Sequence, residues 1–307
     1  MQRTLTSPVT FRGFGLHTGR PVRMTIHPGA AEFGVWFRRT DISSGDTLIP
    51  ARWDMVDPNA QLCTRIVNAD GAAVATVEHV MAALAGLGVY NALIEIDGPE
   101  VPVLDGSSEP YVRGLLKSGL RTLAADVRAV EILKPVEVSN GPAKARLEPA
   151  NGLQIDFEID FTDRAIGHQQ KSLSMTNGAF VRELCDSRTF CRSSDIDAMH
   201  KAGLALGGTY ENAVVVDDDQ VLSPGGLRHG DEPVRHKMLD ALGDLAMAGV
   251  PILGRYVGVR SGHAMTNQLL RAVFAQPDAF RMVVCDAVTV RSLPGMGVTK
   301  RDLALSA

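Results

Sequence analysis

Histidine and aspartate residues are spaced along one segment of this sequence as the ligands of a metal ion would be. His236, Asp240 and Asp244 follow one another at intervals of four within residues 232–247, where apolar residues recur with the period of an α-helix. Side chains at positions i and i+4 share a helix face, so His236 and Asp240 can direct two ligand atoms at one ion. For this helix alone, a solvated face with a His–Asp ion pair is the safer interpretation.

A second segment, Thr76-Val77-Glu78-His79, carries the groups that a hydrolytic metal centre would still lack. His79 would complete a His/His/Asp ligand set with an open position for water, and Glu78 would accept a proton from that water. Taken singly, Glu78 is also typical of an acid in the first turn of a helix, and His79 of an ordinary surface residue. Because His79 and His236 lie far apart in the sequence, we expect the site to form between two domains.

Two further histidines lie in turns from which a side chain could reach a ligand. His263 follows Ser261-Gly262, in a turn before a helix, where it could act as a general acid. His17 lies in the glycine-rich residues 13–19, although such turns also simply join strands. Both could equally be exposed loop residues. The other histidines are interpreted as surface or loop residues: His27, His168, His200 and His229.

Composition limits the classes of partner. The 307 residues include 31 Lys plus Arg and 35 Asp plus Glu, for a formal net charge of −4. This balance provides no general positive field, so we expect no nucleic-acid partner, and local basic residues must bind any anionic ligand. The four cysteines form no C-x-x-C pair, which favours a reducing cytoplasm. No apolar run reaches the ~18 residues of a membrane span, so we expect no transmembrane segment.

The elements that must position these residues occur in two similar series. The order helix, strand, turn, helix occurs at residues 77–87, 92–96, 105–106 and 109–117, and again at 232–247, 252–259, 261–262 and 266–275. Strand patterns precede each series, and residues 121–128 between them are typical of a linker. The grouping of strands before helices favours α+β layers over a doubly wound sheet. We therefore expect two similar two-layer α/β sandwich domains from a duplication, residues 1–124 with Glu78 and His79, and 125–307 with His236 and Asp240.

Several motifs stand in order along nearly the whole chain, to about residue 285. They are Gly13-Phe14-Gly15-Leu16-His17-Thr18-Gly19, Thr76-Val77-Glu78-His79, Ala82-Ala83-Leu84-Ala85-Gly86-Leu87-Gly88, Val103-Leu104-Asp105-Gly106-Ser107, Ser187-Arg188-Thr189-Phe190, Val234-Arg235-His236-Lys237-Met238-Leu239-Asp240 and Ser261-Gly262-His263. Together they closely resemble the zinc-dependent UDP-3-O-acyl-N-acetylglucosamine deacetylase family of lipid A biosynthesis. Such a set in one order is far more specific than any single motif.

The resemblance implies a role for each matching residue. The family's metal ligands match His79, His236 and Asp240, and its general base matches Glu78. The remaining matches are a protonated histidine near the leaving amine at His263, the acid that partners it at Asp244, an oxyanion-binding threonine at Thr189, a lysine beside the ligand histidine at Lys237, and sugar- and nucleotide-packing residues at Phe190 and Phe161. A family lysine that contacts the diphosphate falls near Ala143, where this chain has Lys144 and Arg146.

The resemblance also implies a fold and a reaction. Each of two α+β domains carries an insertion, the active site lies between the domains, and the second insertion, around residues 191–221, forms the acyl-chain passage. The implied reaction hydrolyses the N-acetyl group of UDP-3-O-(hydroxyacyl)-N-acetylglucosamine to acetate and the free amine, the committed step of lipid A synthesis. The metal is Zn²⁺, with Fe²⁺ possible for a His/His/Asp set. The alternatives are a general zinc amidase and a non-catalytic nucleotide-sugar binding protein. Nothing in the sequence demands more than a monomer.

Overall fold

The computed structural model describes residues 1–299 and residue 302; the end of the predicted second domain, residues 300, 301 and 303–307, lies outside them. Helices and several separate sheets confirm the α+β class. The helices are α1 Glu78–Gly86, α2 Glu109–Ser118, α3 Ala179–Glu183, α4 Ser193–Lys201, α5 Glu232–Leu245, α6 His263–Phe274 and α7 Ala287–Ser292. The strands are β1 Arg3–Leu5, β2 Val9–Phe14, β3 Pro21–Pro28, β4 Val35–Arg39, β5 Leu48–Pro50, β6 Ile66–Val67, β7 Ala73–Val74, β8 Ala92–Ile96, β9 Leu120–Thr122, β10 Arg128–Ile132, β11 Val136–Asn140, β12 Ala143–Glu148, β13 Leu153–Asp160, β14 His168–Ser174, β15 Phe190–Arg192, β16 Val214–Asp217, β17 Gln220–Val221, β18 Ile252–Val259 and β19 Phe280–Val284.

Five strands of the first half form one sheet in the order β2-β3-β8-β4-β5. The central strand β8 is antiparallel to β3 and parallel to β4. Helix α1 precedes β8 in the chain, and α2 follows it. Ala92, Ile94 and Ile96 of β8 are buried, whereas the residues between them are partly exposed. This alternation is typical of a sheet with one face on the core and the other toward solvent.

The second half repeats this pairing around β18. That strand is antiparallel to β12 and parallel to β13, and the hairpins β11–β12 and β13–β14 lie on its two sides. Strands β10 and β19 extend the sheet, while α5 precedes β18 and α6 follows it. The two sheets thus share an order and direction of strands. The duplication and the domain boundary at residues 124 and 125 stay predictions.

The two halves meet where α1 packs against α5. At Gly243 of α5, an added Cβ would lie 2.0 Å from the backbone carbonyl oxygen of Glu78. Only a residue without a Cβ lets the two helix backbones come this close. Both helices are almost wholly buried, because each lies between its neighbour and the rest of the core. Their polar residues therefore face each other away from solvent, and not on the solvated face that is the safer interpretation of helix 232–247 alone.

Two local predictions differ from the structure. His263 is the first residue of α6 and not part of the turn before the helix. The predicted linker 121–128 is partly a strand, since β9 pairs with β1. At the N-cap of α2, the hydroxyl of Ser108 makes no cap hydrogen bond and donates to the backbone oxygen of His79, 2.8 Å away. Backbone periodicity does not register such tertiary partners. Among the described helices, none has the length and apolar character to cross a bilayer.

The segment predicted as the second insertion forms a small subdomain. Strands β15, β16 and β17 pair in a three-stranded sheet, and α4 lies between β15 and β16 in the chain. The loop that follows α4 hydrogen bonds to the glycine-rich turn of the first half: Leu206 N donates to His17 O at 3.1 Å, and Gly207 N donates to Leu16 O at 2.9 Å. The insertion is thus attached to both halves of the chain.

Candidate functional site

Helices α1 and α5 bring the three predicted metal ligands together. His79 lies in the first turn of α1, and His236 and Asp240 lie one turn apart on α5. One ligand atom from each of the three lies within 4.8 Å of the other two, and all three residues are buried. Within the described residues, no other group of three His, Cys, Asp or Glu side chains is close enough to hold an ion.

The distances among these atoms fit a metal ion. Asp240 Oδ1 lies 3.5 Å from His79 Nε2 and 3.3 Å from His236 Nε2. Ligands about 2.0 to 2.2 Å from a tetrahedral Zn²⁺ are separated from one another by roughly 3.3 to 3.5 Å. Asp240 Oδ1 is also buried without a hydrogen-bond partner, which is costly for a carboxylate oxygen unless a cation compensates it. The residues present therefore fit a divalent metal.

The surroundings of His236 and Asp240 favour the protonation states that a metal needs. The Nδ1–H of His236 donates to the backbone oxygen of Ser187 at 3.0 Å, so its Nε2 lone pair faces Asp240. Burial lowers the pKa of His236 to about 4, against the opposing effect of Asp240. Burial alone would raise the pKa of Asp240, but electrostatic interactions with His236 and Lys237 hold it well below its usual value. A neutral imidazole and an ionised carboxylate are the ligand forms.

Glu78 and His263 lie beside the ligand set with their side chains facing each other. His263 Nε2 is 3.8 Å from Glu78 Oε1 and 3.8 Å from Asp240 Oδ2, and its Nδ1 is 2.9 Å from Asp244 Oδ2. Burial raises the pKa of Glu78. Burial alone would lower the pKa of His263, but Asp244, Glu78 and Asp240 raise it to about 9. The pair therefore combines a carboxylate that binds protons more readily than usual with a histidine that is protonated at neutral pH.

Thr64 connects these groups by two hydrogen bonds. Its backbone N–H donates to Glu78 Oε2 at 3.0 Å, and its hydroxyl donates to Asp244 Oδ1 at 2.5 Å. One oxygen of each carboxylate is thereby occupied, which leaves the other facing His263. Thr64 follows Cys63, a buried cysteine outside the ligand group. No motif marks Thr64, because its partners come from two helices that only the fold brings together.

The ligand set opens into a cavity of about 650 Å³. Thr189, Phe190, Phe161 and Lys237 all line it, together with Glu78 and His263. The rings of Phe161 and Phe190 are 5.5 Å apart and nearly perpendicular, and Phe190 in turn contacts His236 with ring centroids 6.4 Å apart. The two aromatic residues thus form an apolar wall next to the candidate metal ligands.

The basic residues expected near a diphosphate lie outside the cavity, and other basic residues line it. Lys144 and Arg146 lie on β12, and neither lines the cavity; Arg146 pairs with Glu148 at 3.0 Å. Among described residues, the Lys and Arg side chains that line it are Lys237 and Arg192. Lys237 donates to Asp240 Oδ2 at 2.7 Å. Sequence position alone does not show that strand β12 keeps Lys144 and Arg146 out of the cavity lining.

The insertion supplies the apolar side of the cavity. Ile196 and Met199 of α4 and Val215 of β16 line it, whereas Val214 and Val216 are fully buried within the subdomain. Alternate residues of a strand point to opposite faces, so β16 serves both as core and as cavity wall. The apolar residues of the insertion are therefore divided between the cavity lining and the buried core.

Comparison with known proteins identifies the family of this chain. The profile of the family described as UDP-3-O-acyl N-acetylglycosamine deacetylase matches residues 2–275. Proteins named UDP-3-O-acyl-N-acetylglucosamine deacetylase are similar over most of their length. The one from Phenylobacterium zucineum is 48% identical over 281 residues, which cover 92% of this chain and 96% of the relative. The one from Photobacterium profundum is 43% identical over 300 residues, covering 96% and 98%. The chain therefore belongs to the UDP-3-O-acyl-N-acetylglucosamine deacetylase family.

Proposed function

We propose that this chain is a metal-dependent deacetylase that hydrolyses the N-acetyl group of a UDP-3-O-(hydroxyacyl)-N-acetylglucosamine, releasing acetate and the free amine. The observation that carries the proposal is the buried His79, His236 and Asp240 set with an unpartnered carboxylate oxygen, placed beside Glu78 and His263. The names of the relatives support the substrate. The same substrate places the proposed reaction in lipid A synthesis.

His79, His236 and Asp240 would hold the metal, which we propose to be Zn²⁺, with Fe²⁺ as the alternative. A divalent ion bound there supplies Lewis acidity, which makes water a better nucleophile and stabilises negative charge on oxygen. The Oδ2 atom of Asp240 accepts a hydrogen bond from Lys237 at 2.7 Å, so Oδ1 is the oxygen left for the ion. Lys237 thereby fixes the orientation of the ligand carboxylate.

Glu78 would act as the general base. Its Oε2 is held by the backbone N–H of Thr64, and its Oε1 faces the cavity side of His263. Burial raises the pKa of Glu78, which increases the affinity of this carboxylate for a proton. A carboxylate with one oxygen fixed and one free can take a proton from the attacking water at a defined position.

His263 would deliver a proton to the departing nitrogen, because an amine anion is too poor a leaving group to depart unprotonated. Asp244 accepts from Nδ1 of His263, which orients the ring and leaves Nε2–H toward the reacting groups. The Thr189 hydroxyl, which lines the same cavity, would donate to the oxyanion of the tetrahedral intermediate. Hydrogen bonds to charge that develops only in the transition state are the ones that accelerate the reaction.

The cavity accommodates the rest of the substrate. Phe161 and Phe190 would pack against the sugar and nucleotide, and the apolar residues of the insertion would line the acyl-chain passage. Lys237 and Arg192 are the basic residues that line the cavity, and they would bind the diphosphate. The two-domain division, the monomeric state and a cytoplasmic location are further proposals that rest on the sequence.

Metal analysis combined with a deacetylation assay tests this proposal. The purified protein should contain about one metal ion per chain and release acetate from the UDP-acylated sugar. His236→Ala and Asp240→Ala should both lose metal and activity, whereas His168→Ala, which changes a largely exposed histidine paired with Glu158, should lose neither. An unchanged metal-to-protein ratio in His236→Ala contradicts the ligand assignment.

Two further outcomes would favour the alternatives. Equal hydrolysis of simple acetylated peptides and of the nucleotide sugar would indicate a general zinc amidase. A metal-free protein that binds the nucleotide sugar and is insensitive to chelators would indicate a non-catalytic binding protein, with His79, His236 and Asp240 serving only as a buried polar cluster.

A further inference from the structure

His17 has a buried nitrogen that the proposed mechanism does not use. The residue is 8% exposed, lines the cavity, and its Nε2 has no hydrogen-bond partner. Its other ring nitrogen, Nδ1, accepts from the backbone N–H of Ala205 at 3.3 Å. A nitrogen that accepts cannot carry the proton, so Nε2 carries it. His17, which lines the cavity, therefore carries a buried N–H donor without a protein acceptor.

One buried carboxylate fixes where this donor lies relative to the candidate metal site. Glu100 accepts from the backbone N–H of His17 and of Thr18, both at 2.8 Å, and from the hydroxyl of Thr76 at 2.9 Å. Thr76 adopts a positive φ of 59° just before Glu78 and His79. A Cβ at Gly15 would lie 2.3 Å from Glu100 Oε2, so glycine is needed for the turn to approach this carboxylate. His17 and the start of α1 are thus held as one unit.

His17 is also the point where the insertion meets the first half. Besides the bond from Ala205 to its ring, its backbone oxygen accepts from Leu206. In the proposed complex, the acetamide of the sugar lies at the metal ligands and the acyl chain lies along the insertion. The ester that joins the sugar to the acyl chain then lies at this junction. The ester carbonyl is a hydrogen-bond acceptor, and an unpartnered buried N–H is a donor that needs one.

We propose that His17 is a specificity-determining residue whose Nε2–H donates to the carbonyl oxygen of the ester that links the acyl chain to the sugar. This inference rests on the proposed function, since it assigns one contact within that substrate. Burial lowers the pKa of His17, against the opposing charge of Glu100. The donor is nevertheless present in either protonation state, because the proton on Nε2 is common to the neutral tautomer and the cation.

Two substitutions separate the roles of the two ring nitrogens. Asparagine in His17→Asn places an acceptor near the position of Nδ1, which keeps the bond from Ala205 but removes the Nε2 donor. Glutamine in His17→Gln places an amide N–H near the position of Nε2. Each variant and the wild type would be assayed with the ester substrate and with an ether analogue that lacks only the carbonyl oxygen.

In the wild type, kcat/KM for the ester should exceed that for the ether by about three- to tenfold, the usual effect of one neutral hydrogen bond. The ratio should fall to near one in His17→Asn, mainly through KM, and persist in His17→Gln. A wild-type ratio in His17→Asn overturns the inference. If that variant does not fold, a ratio near one in His17→Gln overturns it. Absence of deacetylation by the wild type would instead refute the proposed function.

Discussion

Gly243→Ala should separate the candidate metal ligands without touching any of them. Gly243 lies on α5 between Asp240 and the end of the helix, and it faces the backbone of Glu78 on α1. The new methyl group would meet the carbonyl oxygen of Glu78 at 2.0 Å and its carbonyl carbon at 2.8 Å. Both atoms are backbone atoms, so no side chain can rotate away, and the helices must move apart.

The size of the movement follows from these distances. Real Cβ atoms essentially never approach another heavy atom closer than 3.0 Å, so the helices must separate by about 1 Å. Metal–ligand distances tolerate only about 0.2 Å, and His79 follows Glu78 directly on the displaced helix. Metal affinity should therefore fall by more than about 100-fold, the upper end of what losing an outer hydrogen bond to a ligand costs. Overpacking should also lower the free energy of unfolding by about 1 to 3 kcal/mol.

The assay is competition for metal against a chelator of known affinity, together with thermal unfolding. Gly86→Ala is a matched control, because it lies at the other end of α1 and its Cβ would meet the Phe180 ring, also at 2.0 Å. It should lower stability but keep metal affinity. Helix propensity cannot explain a loss, since alanine is favoured over glycine in a helix by about 1 kcal/mol. Wild-type metal affinity in a folded Gly243→Ala protein would refute the reasoning.

Four other perturbations test the proton-transfer groups and the metal. Glu78→Gln should keep the metal and lower kcat by at least about 100-fold, as loss of a general base does; near-normal turnover would exclude that role. Thr64→Val should lower kcat by roughly tenfold through loss of its hydroxyl bond to Asp244, with Thr64→Ser as the control that restores it. The pKa of His263, raised to about 9 by its carboxylates, predicts that kcat/KM falls above about pH 9. Asp244→Asn removes one of these charges and should move that fall to lower pH; an unmoved basic limb would assign it to another group. Chelation should abolish activity and lower the unfolding temperature, and added Zn²⁺ should restore both; unchanged unfolding would contradict a bound metal.

The sequence alone indicated four of the described helices (α1, α2, α5 and α6), the central strands and the candidate residues of the site. The 3.6-residue period placed α1, α2 and α5 within a few residues of their observed bounds, because apolar spacing reflects the face that each helix buries. Spacing of four residues showed that His236 and Asp240 share one helix face, since the geometry of one helix determines which side chains do so. Only together with the other motifs did it indicate a metal site. The order of strands and helices likewise indicated the α+β class.

Only the tertiary structure decided how remote segments contact one another. Thr64 binds carboxylates on two helices, and Glu100 binds two turns, so neither carries a local signal. Lys144 and Arg146 show the converse: their position in the sequence suggested the site, but strand β12 holds them outside the cavity. Local propensity depends on neighbours along the chain, whereas the meeting of α1 and α5 depends on packing at Gly243, where the absence of a side chain lets two backbones touch.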